Sequence, residues 1–170
     1  RAAVLTIDGV GEWATTSLGS GDGNTVRLFS EINYPHSLGL LYSAFTHFCG
    51  FKVNSGEYKL MGLAPYGEPR FYDAIKEALI DVRDDGSYRL DTSFFAYLDT
   101  TAMTGERFAQ LFGGPARTAE TPITRREMDL AASVQKLTEE IMLKTARHLR
   151  EITGESRLVM AGGVALSWEG

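Results

Sequence analysis

Cysteine is almost missing from this chain: Cys49 is the single one in 170 residues, so no internal disulfide can form. That scarcity fits a reducing compartment. Positive charge is also short, with 17 Lys and Arg against 22 Asp and Glu and a net charge of −5. A nucleic-acid footprint needs a basic patch or stripe, and this balance argues against one. It does not prevent backbone N–H groups from binding a small anion. No apolar run approaches the roughly 18 residues of a membrane-spanning helix, and no signal-peptide pattern opens the chain. The expectation is a soluble, cytoplasmic protein with no nucleic-acid or membrane partner. Repeats, low-complexity tracts and long linkers are missing too. What remains is an ordinary globular composition, 44% hydrophobic and 23% charged, long enough for one domain with a core.

The chain starts inside an apolar run, Ala2-Ala3-Val4-Leu5-Thr6-Ile7, without an initiating methionine. It stops just after Gly162-Gly163-Val164-Ala165-Leu166, where a helix should begin. Both ends read as cuts, so a piece of a longer protein is expected. Residues 4–8 predict a buried strand, Gly9-Val10-Gly11 a turn, and 12–18 a returning strand rich in β-formers. The glycines, Asp and Asn of 19–24 predict a second turn and 25–32 a third strand, which together make an antiparallel meander. After Pro35 the period changes. Leu38, Leu41, Tyr42, Phe45 and Phe48 predict a helix over 37–49, with Ser37 as N-cap and Gly50 closing it. Further helices are predicted over 56–63, stopped by Pro65 and Gly67, and over 70–80. An acidic turn, Asp84-Asp85-Gly86, and a strand over 88–90 follow.

Residues 91–126 show little periodicity. With Phe94, Phe95, Tyr97 and Leu98 as apolar anchors, they read as an insertion of short helices and loops. The longest helix is predicted over 125–152, one face marked by Met128, Leu130, Ala131, Val134, Leu137, Ile141, Thr145, Leu149 and Ile152. A short buried strand over 157–160 then runs into Gly162-Gly163. The expected fold class is α/β, a mixed sheet containing the meander, with helices packed on it.

Three motifs can carry chemistry. Asp8-Gly9-Val10-Gly11-Glu12 is a glycine turn between strands, and its N–H groups can meet a phosphate because Gly9 and Gly11 offer no Cβ in the way. Asp8, at the strand end, suits a metal or its water. Asp-Gly is also the commonest plain hairpin signal. The second motif is Gly56-Glu57-Tyr58-Lys59-Leu60-Met61-Gly62-Leu63-Ala64-Pro65-Tyr66-Gly67. Glu57 and Lys59, two apart, do not share a helix face, and a lysine donates to phosphate or ribose oxygens as a point charge. An ordinary helix with both charges solvated fits the same residues. The third is strand–Gly162-Gly163–helix start, where free N–H groups and the positive end of a helix dipole meet a loop open to a flat ligand. A tight connection reads the same way.

Taken in order, these motifs resemble the second half of the actin, sugar-kinase and heat-shock ATPase superfamily, whose nucleotide lies between an Asp-Gly phosphate hairpin and a Gly-Gly turn. Three of the strings quoted, with Tyr34-Pro35-His36-Ser37-Leu38-Gly39-Leu40-Leu41-Tyr42, are more closely similar to the carbamoyltransferases related to nodulation protein U and to cephamycin and tobramycin O-carbamoylation. The resemblance runs from residue 4 to 167, and the string from Gly56 to Gly67 is its most specific part.

It implies a ribonuclease-H-like half-domain over 1–170, the second subdomain of an actin-like ATPase fold. In such enzymes a synthase-like C-terminal domain makes carbamoyl-adenylate from carbamoyl phosphate and ATP. The actin-like domain passes the carbamoyl group to a small-molecule acceptor, commonly a sugar or antibiotic hydroxyl. A divalent metal, Fe or Mg, is implied as well, held by an upstream His-x-x-x-His stretch and a later Asp, segments that these 170 residues do not contain. By position the resemblance makes Asp8 and Glu12 catalytic, and Gly9, Gly11, Glu57, Lys59, Gly162 and Gly163 nucleotide-binding. Serine stands at 167 where the family usually has Asn, and Trp168-Glu169-Gly170 depart from the family. The two glycine turns are expected to converge on opposite edges of one nucleotide-sized groove. The 170 residues alone, without the N-terminal half, are expected to be inactive.

Two other readings use the same residues: a sugar-kinase or heat-shock-type ATPase, and a non-catalytic interaction module of the same fold. His36 is expected to pack beside a helix start, His47 and His148 to be structural or solvent-facing, and Cys49 to be a small buried hydrophobe. Asp81, Asp84 and Asp85 read as a solvated turn, since calcium-loop spacing is not met.

Overall fold

The computed structural model describes residues 1–98 and 102–167, which form two units. In chain order the elements are β1 (Ala2–Ile7), β2 (Ala14–Asp22), β3 (Thr25–Asn33), α1 (Leu38–Phe48), α2 (Glu57–Leu63) and α3 (Tyr72–Ala78). Then come β4 (Ile80–Val82), β5 (Tyr88–Leu90), α4 (Glu106–Leu111), α5 (Arg125–Thr153) and β6 (Leu158–Ala161). Short 3₁₀ turns span Ala64–Tyr66, Thr92–Phe94 and Gly163–Ser167. The Ser167 side chain and Trp168-Glu169-Gly170, where departures from the family were noted, lie outside the described residues. The architecture is α/β, as expected.

One unit comprises Arg1–Leu40, Val82–Arg89 and the chain from Glu139 onward. Its sheet runs β3-β2-β1-β6, with β1 antiparallel to β2, β2 antiparallel to β3, and β1 parallel to β6. The predicted meander is therefore present, and the parallel pair makes the sheet mixed. Alternation along β1 buries Ala3, Leu5 and Ile7. Ile141, Met142, Thr145 and Leu149 of α5 are buried in the same unit. Gly86 is pressed on α5 so closely that a Cβ there would lie 2.5 Å from the Thr145 nitrogen.

Several expectations need correction. The turn expected over 19–24 is only Gly23-Asn24, because β2 continues to Asp22. The glycines before it serve the sheet: the β2–β3 register jumps between Leu18 and Gly19, and a Cβ on Gly19 would lie 2.6 Å from the Arg27 carbonyl. The helix over 70–80 ends at Ala78, and Ile80–Val82 pairs with Tyr88–Leu90 instead. Ile80 and Val82 flank the exposed Asp81, an alternation that suits a strand. The helix expected over 56–63 does end at Leu63, as read; Pro65 then sits at the start of a 3₁₀ turn, where its missing N–H costs nothing, and Gly67 closes that turn. The β6 strand is not buried: Leu158 and Val159 are 37% and 54% exposed, since β6 pairs only with β1 among the described strands. Ile152 and Leu98 are exposed too, at the end of α5 and in a loop.

The other unit, Leu41–Asp81 and Leu90–Thr138, is built around phenyl rings. Phe45 and Phe48 of α1 meet Phe108 of α4 edge-on at 5.1 and 5.0 Å, and Phe108 meets Phe112 at 4.8 Å. Such edge-to-face pairs add to the burial of the rings. The stretch read as an insertion thus supplies core residues. Tyr42 is buried and donates to Gln135 at 2.9 Å. The N-terminal half of α5 buries Leu130, Ala131, Val134 and Leu137, the face the periodicity marks.

Candidate functional site

Asp8 ends β1 and starts the first hairpin. Its N–H donates to the Thr15 carbonyl at 2.9 Å, closing the ladder, and its Oδ1 accepts from the Gly9 N–H at 2.8 Å. A Cβ on Gly9 would meet nothing within 4 Å, so that backbone is open to an approaching group. Gly11 needs its glycine for the turn itself: φ is +57°, and a Cβ would lie 2.6 Å from the Ala14 carbonyl. Asp8, Val10, Gly11 and Glu12 are exposed.

Beside this hairpin stands the second glycine turn. Parallel pairing carries β1 and β6 side by side to the register Thr6↔Ala161, so the residues that follow both strands emerge at the same sheet end. Gly162 has φ +101°, and a Cβ on it would lie 2.1 Å from the Ile7 carbonyl. On Gly163 a Cβ would stand 3.5 Å from Asp8 Oδ1. The two turns therefore adjoin, rather than facing each other across a gap. Gly163 opens a 3₁₀ turn, and the Ala165 N–H donates to the Gly162 carbonyl at 3.1 Å.

Glu57 and Lys59 belong to the other unit. Glu57 works locally, its carboxylate accepting from the Ser43 hydroxyl at 2.9 Å and from the N–H groups of Asn54 and Gly56 at 3.0 and 3.2 Å. That arrangement ties the start of α2 to α1. Lys59 is exposed on α2.

The histidines do not gather. His47 is exposed and His148 half-buried, and burial followed by the charge of Arg89 depresses the His36 pKa. Among the described residues no group of three His, Cys, Asp or Glu side chains is placed to hold a metal. The donor set on these elements does not fit the metal that the resemblance implies. Cys49 is fully buried, and burial pushes its thiol up to about 12, which makes it an inert core group. Asp81, Asp84 and Asp85 are exposed, with Asp85 capping the N–H and hydroxyl of Ser87. No described helix is long and apolar enough to cross a membrane.

Sequence reasoning missed three residues that hold the hairpin. Ser37 caps α1 as expected, accepting from the Leu40 N–H at 3.0 Å, but its hydroxyl also reaches the carbonyls of Asp8 and Gly9. Gly39 lies against the hairpin: a Cβ on it would be 2.7 Å from Gly9 Cα and 2.8 Å from the Asp8 carbonyl. Tyr88, buried, accepts from the Leu38 N–H at 2.9 Å and stands 3.2 Å from the Thr16 hydroxyl. Burial raises its pKa, so the phenol stays neutral. The Ser37 cap was read from the sequence, but the contacts of Ser37 and Gly39 some 30 residues away leave no local signal.

Comparison with known proteins adds the following. The family model described as carbamoyltransferase N-terminus matches residues 1–169. An uncharacterized protein of Synechocystis is 57% identical over 98% of this chain, which covers 27% of that protein. Nodulation protein NolNO of Sinorhizobium fredii is 38% identical over 97% of the chain, and nodulation protein NolO of Bradyrhizobium diazoefficiens 33% over 97%. The chain spans 22% and 28% of those two proteins, about a quarter of their length.

Proposed function

The chain belongs to the carbamoyltransferase N-terminus family, and from that premise we propose that it is the phosphate- and nucleotide-handling part of an ATP-dependent carbamoyltransferase with a ribonuclease-H-like, actin-like fold. The enzyme takes its carbamoyl group from carbamoyl phosphate, passes it through carbamoyl-adenylate, and delivers it to an acceptor hydroxyl. The observation that supports this most is the adjoining of the Asp8 hairpin and the Gly162-Gly163 turn at the carboxyl ends of two neighbouring parallel strands. Ligands of open α/β sheets collect outside such strand ends.

In this reading the hairpin N–H groups of Gly9 to Glu12 face phosphate or carbamoyl oxygens. During transfer the acceptor oxygen bonds the carbamoyl carbon, and AMP leaves with the electrons of the broken C–O bond. The hydroxyl proton passes to a carboxylate of the hairpin, Asp8 or Glu12. Negative charge that grows on the carbamoyl oxygen is met by N–H donors already in position, which lowers the barrier without reorganisation. Gly163 leaves the space beside Asp8 open to a ribose or base. No step is routed through a metal.

The test uses the full-length protein with ATP and labelled carbamoyl phosphate. ATP consumption that requires carbamoyl phosphate is the expected result. ATP consumption that proceeds equally without it points to a kinase-type or heat-shock-type ATPase instead, and an inability to bind ATP points to an interaction module.

A further inference from the structure

We propose that Ser37 is a positioning residue for the Asp8 hairpin, setting the direction in which its backbone N–H groups point toward a phosphate; this rests on the reading given under Proposed function. Ser37 is fully buried. One hydroxyl does three things there: its oxygen accepts from the Leu40 N–H at 3.0 Å, and its single proton is shared between the carbonyls of Gly9 and, at 3.2 Å, Asp8.

The consequence follows from the planar trans peptide. Across each peptide bond the C=O and the next N–H point in opposite directions. Two successive carbonyls drawn toward α1 therefore turn the N–H groups of Gly9 and Val10 away from it, onto the exposed side of the hairpin. Successive N–H groups that point the same way form an anion-binding concavity. The Gly9 N–H now donates to Asp8 Oδ1 at 2.8 Å, so a phosphate oxygen that takes this donor displaces the carboxylate.

Two further contacts keep Ser37 in place. Gly39 lets α1 lie so close to the hairpin that a Cβ on it would stand 2.7 Å from Gly9 Cα, so any other residue there drives the helix off the hairpin. Tyr88 anchors the helix start through the Leu38 N–H. All of these residues lie in one unit.

The experiment measures ATP and adenosine affinities by calorimetry on the full-length protein, together with thermal midpoints. Ser37→Ala removes the shared proton and the cap; Ser37→Gly removes the same proton but costs the helix less, because glycine is the better N-cap of the two. Gly39→Ala keeps the Ser37 hydroxyl but pushes α1 off the hairpin, which draws that hydroxyl away from the two carbonyls. All three are expected to weaken ATP about tenfold, the loss of one hydrogen bond's worth of positioning, while adenosine affinity stays within about twofold. Tyr42→Phe, which disturbs α1 away from the hairpin, should leave the ATP-to-adenosine ratio unchanged. Equal losses for both ligands, or no loss in folded Ser37→Gly and Gly39→Ala proteins, overturn the positioning role while the functional reading stands. A wild-type protein that binds ATP no better than adenosine overturns both.

Discussion

Buried Glu127 is held by partners close by in sequence, whereas Ser37 is held by partners 28 and 29 residues away. Glu127 is 2% exposed at the start of α5, and its carboxylate accepts from the Thr124 N–H and hydroxyl and from Arg126. Burial pushes the carboxyl pKa up, but these bonds outweigh it and hold the group below its ordinary 4.5. A depressed folded value contributes stability that is complete above the unfolded value and is lost as pH falls through the folded one. Glu127→Gln should therefore destabilise the protein most near neutral pH, with the gap to wild type closing below about pH 4.5. Denaturation midpoints measured across that range test it, and a gap that stays constant with pH contradicts it. Glu127 reaches back to the Thr124 N–H three residues earlier, as in a capping box. Ser37 was legible only as a cap, because its second partner is the hairpin some 28 residues earlier and no local pattern signals that.

Elements differ in how openly the sequence announces them. The long period of α5 and the cap-to-glycine span of α1 were read almost to the residue, since each buries a continuous stripe. The glycine-rich end of β2 was misread as a turn because glycine serves both a turn and a backbone crowded by its neighbour. Ile80 was absorbed into the helix read over 70–80, and the strand Ile80–Val82 was missed, because three residues are too few to show a period of two beside a helical one. In the same way, α4 lies in a stretch without periodicity, yet Phe108 is fully buried against Phe45, Phe48 and Phe112. Phe108→Ala is expected to cost about 3–5 kcal/mol of stability, the range for a large aromatic removed from a packed core. Urea unfolding of the full-length protein checks it; a loss under about 1 kcal/mol shows that the aromatic cluster does not hold this unit together.

At the scale of the whole molecule, the chain spans about a quarter of the length of the nodulation proteins it matches. The sequence showed two glycine turns roughly 150 residues apart and an order of motifs resembling a nucleotide-binding half. It could not show that β1 and β6 run parallel and adjacent, because strand pairing across that separation leaves no local trace. That pairing brings Gly163 beside Asp8. Glu57 and Lys59 were legible as a motif, but the local bonding of Glu57 to Ser43, Asn54 and Gly56 was not. The most direct measurement is carbamoyl transfer by the full-length Asp8→Ala protein alongside its unfolding midpoint. Asp8 is exposed, so the midpoint should hold while transfer falls about a hundredfold or more, the effect of losing a general base. Unchanged transfer in a folded Asp8→Ala protein contradicts the account.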